Sequence, residues 1–274
     1  MLTRAIPKTG ELIGVIGLGT YNSFDVRLGG QNRVDLLNVL GLFFAAGGTL
    51  IDSSPMYGRA EEVVGELLTE RGGTDPAFIA TKVWTRGEAA GILQMQESGT
   101  KMRAPKIDLM QVHNLVDYKT QIRTLREWKD QGVIRYIGIT HYTVSGFDDL
   151  ADIIKAEPMD FAQFPYSIEV RDAESMLLPL CADRGVATLI NRPLEQGGLF
   201  RRVRGHAVPA WACEFGATSW GQFLLKYIVG EPAVTCAIPA TGNPDHMRDN
   251  LVAGSGRLPD PSERRRMADL IDRF

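Results

Sequence analysis

The sequence predicts an α/β protein built as one closed (β/α)8 barrel, the TIM barrel architecture, and three observations carry the prediction. Eight short apolar or β-branched runs alternate with longer segments of helical period, the pattern of parallel strands joined by crossover helices. No linker, composition break or long repeat interrupts residues 1–274, so a single domain is expected. An open doubly wound sheet would satisfy the alternation too, but eight units in a chain of this length favour the barrel, which ordinarily fills roughly 250 residues.

The first run is LIGVIGLG at 12–19, followed by the helical segment NRVDLLNVLGLFFAA. Together with the second run, TLID at 49–52, this segment forms the most apolar stretch of the chain, 36–51. That stretch is too short to span a bilayer and is broken by Asn38 and a Gly-Gly pair, so it reads as a buried helix entering a buried strand. AEEVVGELLTE then leads to AFIATK at 77–82, and IDLMQVH follows at 107–113. YKTQIRTLREWKDQG precedes VIRYIGIT at 133–140, and DDLADIIKA precedes DFAQFPY at 160–166. AESMLLPLCADRG, VATLIN at 186–191, SWGQFLLKYIVG and AVTCAIP at 233–239 complete the set; each helical segment carries apolar residues at three and four spacing. The closing SERRRMADLIDRF repeats Met267, Leu270, Ile271 and Phe274 at helical spacing, which assigns Arg264, Arg265 and Arg266 to a solvated face.

Composition excludes several roles. With 30 Lys+Arg against 33 Asp+Glu the chain has no overall positive field, so neither nucleic acid nor an anionic membrane is an expected partner. Cys181, Cys213 and Cys236 are odd in number and far apart, as free thiols in a reducing compartment are, and MLTRAIPKTG lacks the apolar core of a signal peptide; a cytoplasmic location is expected. His113, His141, His206 and His246 show no i, i+4 pairing, and H-E-x-x-H and C-x-x-C do not occur, so no metal is expected.

In a barrel the site gathers where strands end and βα loops begin. Asp52 closes the second run, Lys82 the third and His113 the fourth, while Tyr57 follows Asp52 just ahead of a helix. Each has an ordinary reading alone: a turn-capping acid, a snorkelling lysine, a satisfied core histidine. Together they suit one chemistry. A phenol titrates near 10 and needs a neighbouring cation to release its proton, a buried lysine needs an acid to stay charged, and a neutral histidine can hold a carbonyl oxygen in line.

In the contexts LIDSSPMYG, ATKVW and MQVHN these residues resemble the catalytic tetrad of the aldo-keto reductases, NAD(P)H-dependent carbonyl reductases on a (β/α)8 barrel. VIGLGTYNSFD, GITHYTVSGFDDL, QFPYSIEVRDAE and AIPATGNPDHMRDNLVAG follow in that family's order, so the resemblance covers nearly the whole chain. It implies Tyr57 as general acid, Lys82 lowering its pKa, Asp52 holding Lys82 and His113 orienting the carbonyl. It also implies a nicotinamide cofactor at the barrel mouth, touched by Gly19, Thr20, Thr140, His141, Gln163, Asn191, Arg192, Pro193, Leu194, Ile238, Ala240, Thr241, His246 and Asn250, with Tyr21, Trp84 and Asn114 in the substrate pocket. GLGTYN lacks the third glycine of G-x-G-x-x-G, so a Rossmann domain is not expected.

The chain departs from the family pattern at named places. Thr140 and His141 replace a Ser-Asn pair, Asn191 stands where a tyrosine stacks on the nicotinamide, and Ala240 and His246 stand where a lysine and an arginine read the 2′-phosphate. Tyr21 or Trp84 is a possible substitute for the stacking ring, and Arg192, Arg201, Arg202 or Arg204 for the missing charge. NADP(H) is favoured and NAD(H) possible. The chain ends with its final helix, without the loop that covers the pocket in many members, which implies a more open mouth with Tyr142, Phe200 and Trp211 among its walls. The expected partner is a small-molecule carbonyl substrate with an apolar or aromatic body, and the protein is expected to be a monomer or weak homo-oligomer. Two other readings stay open: a nucleotide-binding redox-sensing or interaction module with little turnover, and a barrel isomerase or aldolase using Lys82 as a Schiff base, which would leave Tyr57 without a task.

Overall fold

The structure is a computed structural model that describes residues 1–274. An antiparallel hairpin, β1 (Thr3–Ala5) and β2 (Leu12–Gly14), precedes the barrel. Strands β3 (Leu18–Gly19), β4 (Leu50–Asp52), β5 (Phe78–Val83), β6 (Ile107–His113), β7 (Ile134–Thr140), β8 (Phe161–Pro165), β9 (Ala187–Asn191) and β10 (Cys236–Ala237) then form an eight-stranded parallel sheet in sequential order. Bridges Ile16↔Ala237 and Gly19↔Ala240 join the last strand to the first and close it. The helices are α1 (Gly30–Ala45), α2 (Ala60–Glu70), α3 (Glu88–Lys101), α4 (Tyr118–Asp130), α5 (Phe147–Ala156), α6 (Leu177–Arg184), α7 (Gly198–Arg202), α8 (Trp220–Val229), α9 (Pro244–Ala253) and α10 (Pro261–Ile271). None is long and apolar enough to cross a membrane.

Three sequence expectations change. The run at 12–19 is two elements: Leu12–Gly14 pairs outside the barrel and only Leu18–Gly19 joins its ladder. The segment 173–185 splits, because Met176 takes φ −132° and ψ −73° between a 3-10 turn and α6. Arg264 is not solvated: its guanidinium is buried against Glu174 at 2.7 Å and Glu231 at 2.8 Å and covers the Tyr227 ring, while Arg266 lies 4.0 Å over Trp211. Trp211, expected from sequence among the cavity walls, packs edge-on against Phe215 and Phe223 and does not line the cavity. α3 was not foreseen, since its helix face buries only Gly91, Met95 and Ser98.

The register explains where the site sits. Inward positions alternate along each strand: Phe78, Ala80 and Lys82 on β5, Leu109, Gln111 and His113 on β6, and Tyr136, Gly138 and Thr140 on β7 lie side by side through the pairs Ala80↔Leu109, Lys82↔Gln111, Leu109↔Tyr136, Gln111↔Gly138 and His113↔Thr140. At the amino ends of the strands these positions are apolar, and Phe78, Tyr136 and Phe161 pack there with Ile6 and Ile13 of the hairpin, which plugs that end. At the carboxyl ends the same rows turn polar. Gly138 keeps the middle of the row close-packed, since a Cβ there would stand 3.0 Å from Gln111 Cγ and 3.1 Å from the Phe161 carbonyl. A separate apolar layer of 59 residues packs strands against helices.

Candidate active site

Lys82 is fully buried, and its ammonium donates to Asp52 Oδ2 at 2.6 Å and to the Ser53 carbonyl at 2.7 Å. Asp52 Oδ1 accepts from Gln111 Nε2 at 3.1 Å and from Gln163 Nε2 at 2.9 Å, and Gln163 Oε1 accepts from Thr140 Oγ1 at 3.2 Å. Five strands thus share one buried network, and each amide is oriented by a partner that only one of its ends can satisfy. Gln111 was not singled out from sequence; its place two residues before His113 on the same strand face was the available signal.

Tyr57 reaches the network from the loop after β4. Ser54 Oγ accepts the Met56 amide at 3.3 Å, the Tyr57 amide donates to the Ser54 carbonyl at 3.0 Å, and Gly58 turns through φ +58°, where a Cβ would strike the Asp25 carboxylate that receives the Arg59 amide. This turn sets the phenol over the lysine: the Tyr57 ring centroid lies 5.2 Å from Lys82 Nζ and 5.9 Å from the His113 ring. Tyr21 packs edge-on at 5.0 Å.

The charges behave as burial dictates. Burial is the largest influence on the Tyr57 phenol and raises its pKa above 10; Lys82 acts in the expected downward direction, but burial outweighs it. Burial also presses Lys82 downward, yet Asp52 and Tyr57 together hold it above its ordinary value, so it stays charged. Burial, then Lys82 and His141, push His113 down to about 2, which keeps it neutral. His113 Nδ1 shares a 2.9 Å hydrogen bond with Ser54 Oγ. That oxygen also accepts the Met56 amide; a proton given by Oγ to Nδ1 would put the imidazole hydrogen on Nε2 as a donor.

This corner opens into a cavity of about 1090 Å³ whose lining includes Tyr21, Trp84, His113 and Asn114 together with Thr241, His246 and Asn250. Gly19, Thr20, Thr140, Gln163, Asn191, Arg192, Pro193, Leu194, Ile238 and Ala240 line it too. Gly19 has no alternative, since a Cβ there would lie 2.7 Å from the Ile238 carbonyl. His141 is the exception among the residues assigned to the cofactor. Its ring turns out of the cavity, with Nδ1 engaged at 3.2–3.3 Å by Thr143, and fills the space left by Gly146. Met56, Gln196, Pro239 and Asp249 line the cavity without having been foreseen.

The structure also sorts the loop arginines. Arg192 pairs with Glu195 at 2.8 Å and Arg202 with Glu169, whereas Arg201 and Arg204 line the cavity with no ion pair. Buried polar atoms without a partner, which carry a desolvation penalty, include Asn114 Oδ1 and Asn191 Oδ1 at the cavity wall.

Comparison with known proteins gives the family. The chain is 29% identical over 208 residues, 70% of its length, to the Aldo-keto reductase YhdN of Bacillus subtilis, and 26% identical over 213 residues, 66% of its length, to the Aryl-alcohol dehydrogenase [NADP(+)] of Phanerodontia chrysosporium. These matches span 62% and 55% of the two relatives' own lengths. The crystal structure of the thermostable aldo-keto reductase Tm1743 in complex with the inhibitor epalrestat superposes with a TM-score of 0.78 at 25% identity, covering 98% of this chain and 100% of that one. The profile of the Aldo/keto reductase family matches residues 15–265, and with these strands and this site the chain belongs to that family.

Proposed function

We propose that the protein is an NAD(P)H-dependent carbonyl reductase that acts as a single barrel domain, uses NADP(H) in preference to NAD(H), and converts an aldehyde or ketone to an alcohol. One observation carries the reading: a buried Lys82–Asp52 ion pair lies under a half-buried tyrosine beside a neutral histidine, in a cavity of about 1090 Å³. Unpaired Arg201 and Arg204 on its wall supply cations for phosphate.

When bound, a reduced nicotinamide supplies the hydride. Tyr57, kept protonated by burial, gives its proton to the carbonyl oxygen, and Lys82 stabilises the phenolate left behind. Asp52 keeps Lys82 charged, and Gln111 and Gln163 hold Asp52 in place. The His113 Nε2–H donates to the same carbonyl oxygen and fixes its direction. Around the mouth, Tyr21, Met56, Trp84, Tyr142 and Phe200 are exposed apolar or aromatic side chains, which favours an uncharged, aromatic or apolar substrate. The unpaired cysteines support a reducing, cytoplasmic setting.

The test is titration with NADPH and NADH by nicotinamide fluorescence, followed by addition of a nitrobenzaldehyde. Turnover is expected, and Tyr57→Phe should lower kcat by about 10²–10⁴ with cofactor affinity unchanged. Tight binding without turnover across a carbonyl panel would instead favour a redox-sensing module, the reading that the missing stacking ring at Asn191 supports.

A further inference from the structure

We infer that Gln94 is a positioning residue for the substrate, holding the Trp84 indole as a fixed wall against which an aromatic carbonyl compound is selected over a small aliphatic one. The inference rests on the reductase reading proposed above. Trp84 stands one residue past β5, after Val83, which still pairs with Val112 of β6. A peptide group just beyond a ladder has lost its strand partner and must find another or face water. Trp84 makes no backbone hydrogen bond to another residue's backbone. Instead its amide donates to Gln94 Oε1 at 2.6 Å and its carbonyl accepts from Gln94 Nε2 at 3.4 Å. A side-chain amide carries the same kinds of donor and acceptor as a peptide unit, so Gln94, reaching from α3, stands in for the missing strand partner. Because a peptide N–H can only donate, the shorter bond also fixes which end of the Gln94 amide faces which group.

The clamp acts on Trp84 alone. Farther along the same loop, Gln121 Nε2 donates to the Thr85 and Gly87 carbonyls at 3.3 Å and 3.1 Å, and Asp117 Oδ2 accepts the Gly87 amide at 2.7 Å, so that part of the loop is tied down without Gln94. What Gln94 governs is the direction of an indole that is 41% exposed, lines the cavity and lies 6.3 Å from the His113 ring at 54°. An indole this exposed has little packing of its own to hold it, and its rotamer follows the backbone that Gln94 fixes. The substituent on a carbonyl whose oxygen His113 holds is within reach of that ring. An aromatic pair there favours an aryl group by about three- to tenfold, whereas the short chain of propanal gains little.

The experiment measures kcat/KM at saturating NADPH for nitrobenzaldehyde and for propanal in wild type, Gln94→Met, Trp84→Ala and the double variant. Methionine keeps the length of the side chain and its helix propensity but has no amide. Gln94→Met should lower kcat/KM for nitrobenzaldehyde about three- to tenfold, chiefly by raising KM, and spare propanal. In the Trp84→Ala background the same change should have no effect, since it acts only through that ring. Acrylamide quenching of Trp84, taken as the difference between each protein and its Trp84→Phe counterpart, should rise in Gln94→Met while Trp128, Trp211 and Trp220 keep their signal, which reports a folded variant. An equal loss for both aldehydes, the same loss without Trp84, or unchanged quenching would overturn the inference while leaving the reductase reading intact. Wild type that turns over neither aldehyde would overturn the reductase reading and with it the aryl selectivity, and the quenching difference would then decide the clamp by itself.

Discussion

On the floor of the cavity, Asp52, Lys82, Gln111 and Gln163 lie on four barrel strands, are all buried, and are each held by a side chain from another strand. On the loop wall opposite, Arg201 and Arg204 stand in solvent without ion pairs, and Arg192, Glu195 and Gln196 carry left-handed backbone near φ +50°. The floor is fixed by hydrogen bonds made in a dry interior, where each group depends on the others; the wall is held by a few local contacts and keeps charge unspent for a ligand. For the reductase proposed above, proton transfer would tolerate little displacement, whereas holding a dinucleotide would call for reach and charge, which is what these two kinds of construction supply.

Breaking the floor should have the largest effect. Lys82→Met leaves the Asp52 carboxylate buried without its cation, and urea unfolding should report a loss of about 3–5 kcal/mol, with turnover abolished. A loss below about 1 kcal/mol would mean that the floor is no more interdependent than an exposed ion pair.

A second break comes from pH. His113 falls to about 2 in the folded chain against an ordinary 6.5, so above pH 6.5 both states are neutral and the group contributes nothing to the pH dependence. As pH falls below 6.5 the unfolded chain binds a proton that the folded one refuses, and stability declines by up to about 1.4 kcal/mol per pH unit, or about 2 kcal/mol by pH 5. His113→Asn should therefore close part of its gap to wild type between pH 7 and pH 5. Parallel stability curves would show that His113 is not held neutral.

The wall should respond most gently and more selectively. Replacing Arg201 and Arg204 together by alanine should weaken NADPH binding roughly tenfold, leave NADH binding and unfolding free energy unchanged, and flatten the salt dependence of NADPH affinity. Equal loss for both nucleotides would assign the arginines to the shared pyrophosphate and sharpen the comparison rather than erase it.

Much of the floor was legible in the sequence for a geometric reason. Side chains alternate along a strand, so once IDLMQVH and AFIATK are read as strands, Lys82 and His113 fall on the same inner face, at its open end, without any knowledge of the fold's details. The wall was not legible in this way. Four arginines between 192 and 204 looked equivalent until Glu195 and Glu169 were seen to claim two of them.

The sequence by itself determined the barrel, the strand ends that carry Asp52, Lys82 and His113, and the turn that delivers Tyr57, because these follow from local periodicity and turn chemistry. Tertiary structure alone decided the hairpin plug at the opposite end, the outward turn of His141, the flip of the Asn191 amide and the upward pKa of Tyr57. Each of those depends on what stands next to a group in space: for the hairpin, Asn191 and Tyr57 the deciding neighbours lie tens of positions or more away in sequence, whereas for His141 they are Thr143 and Gly146 of its own loop.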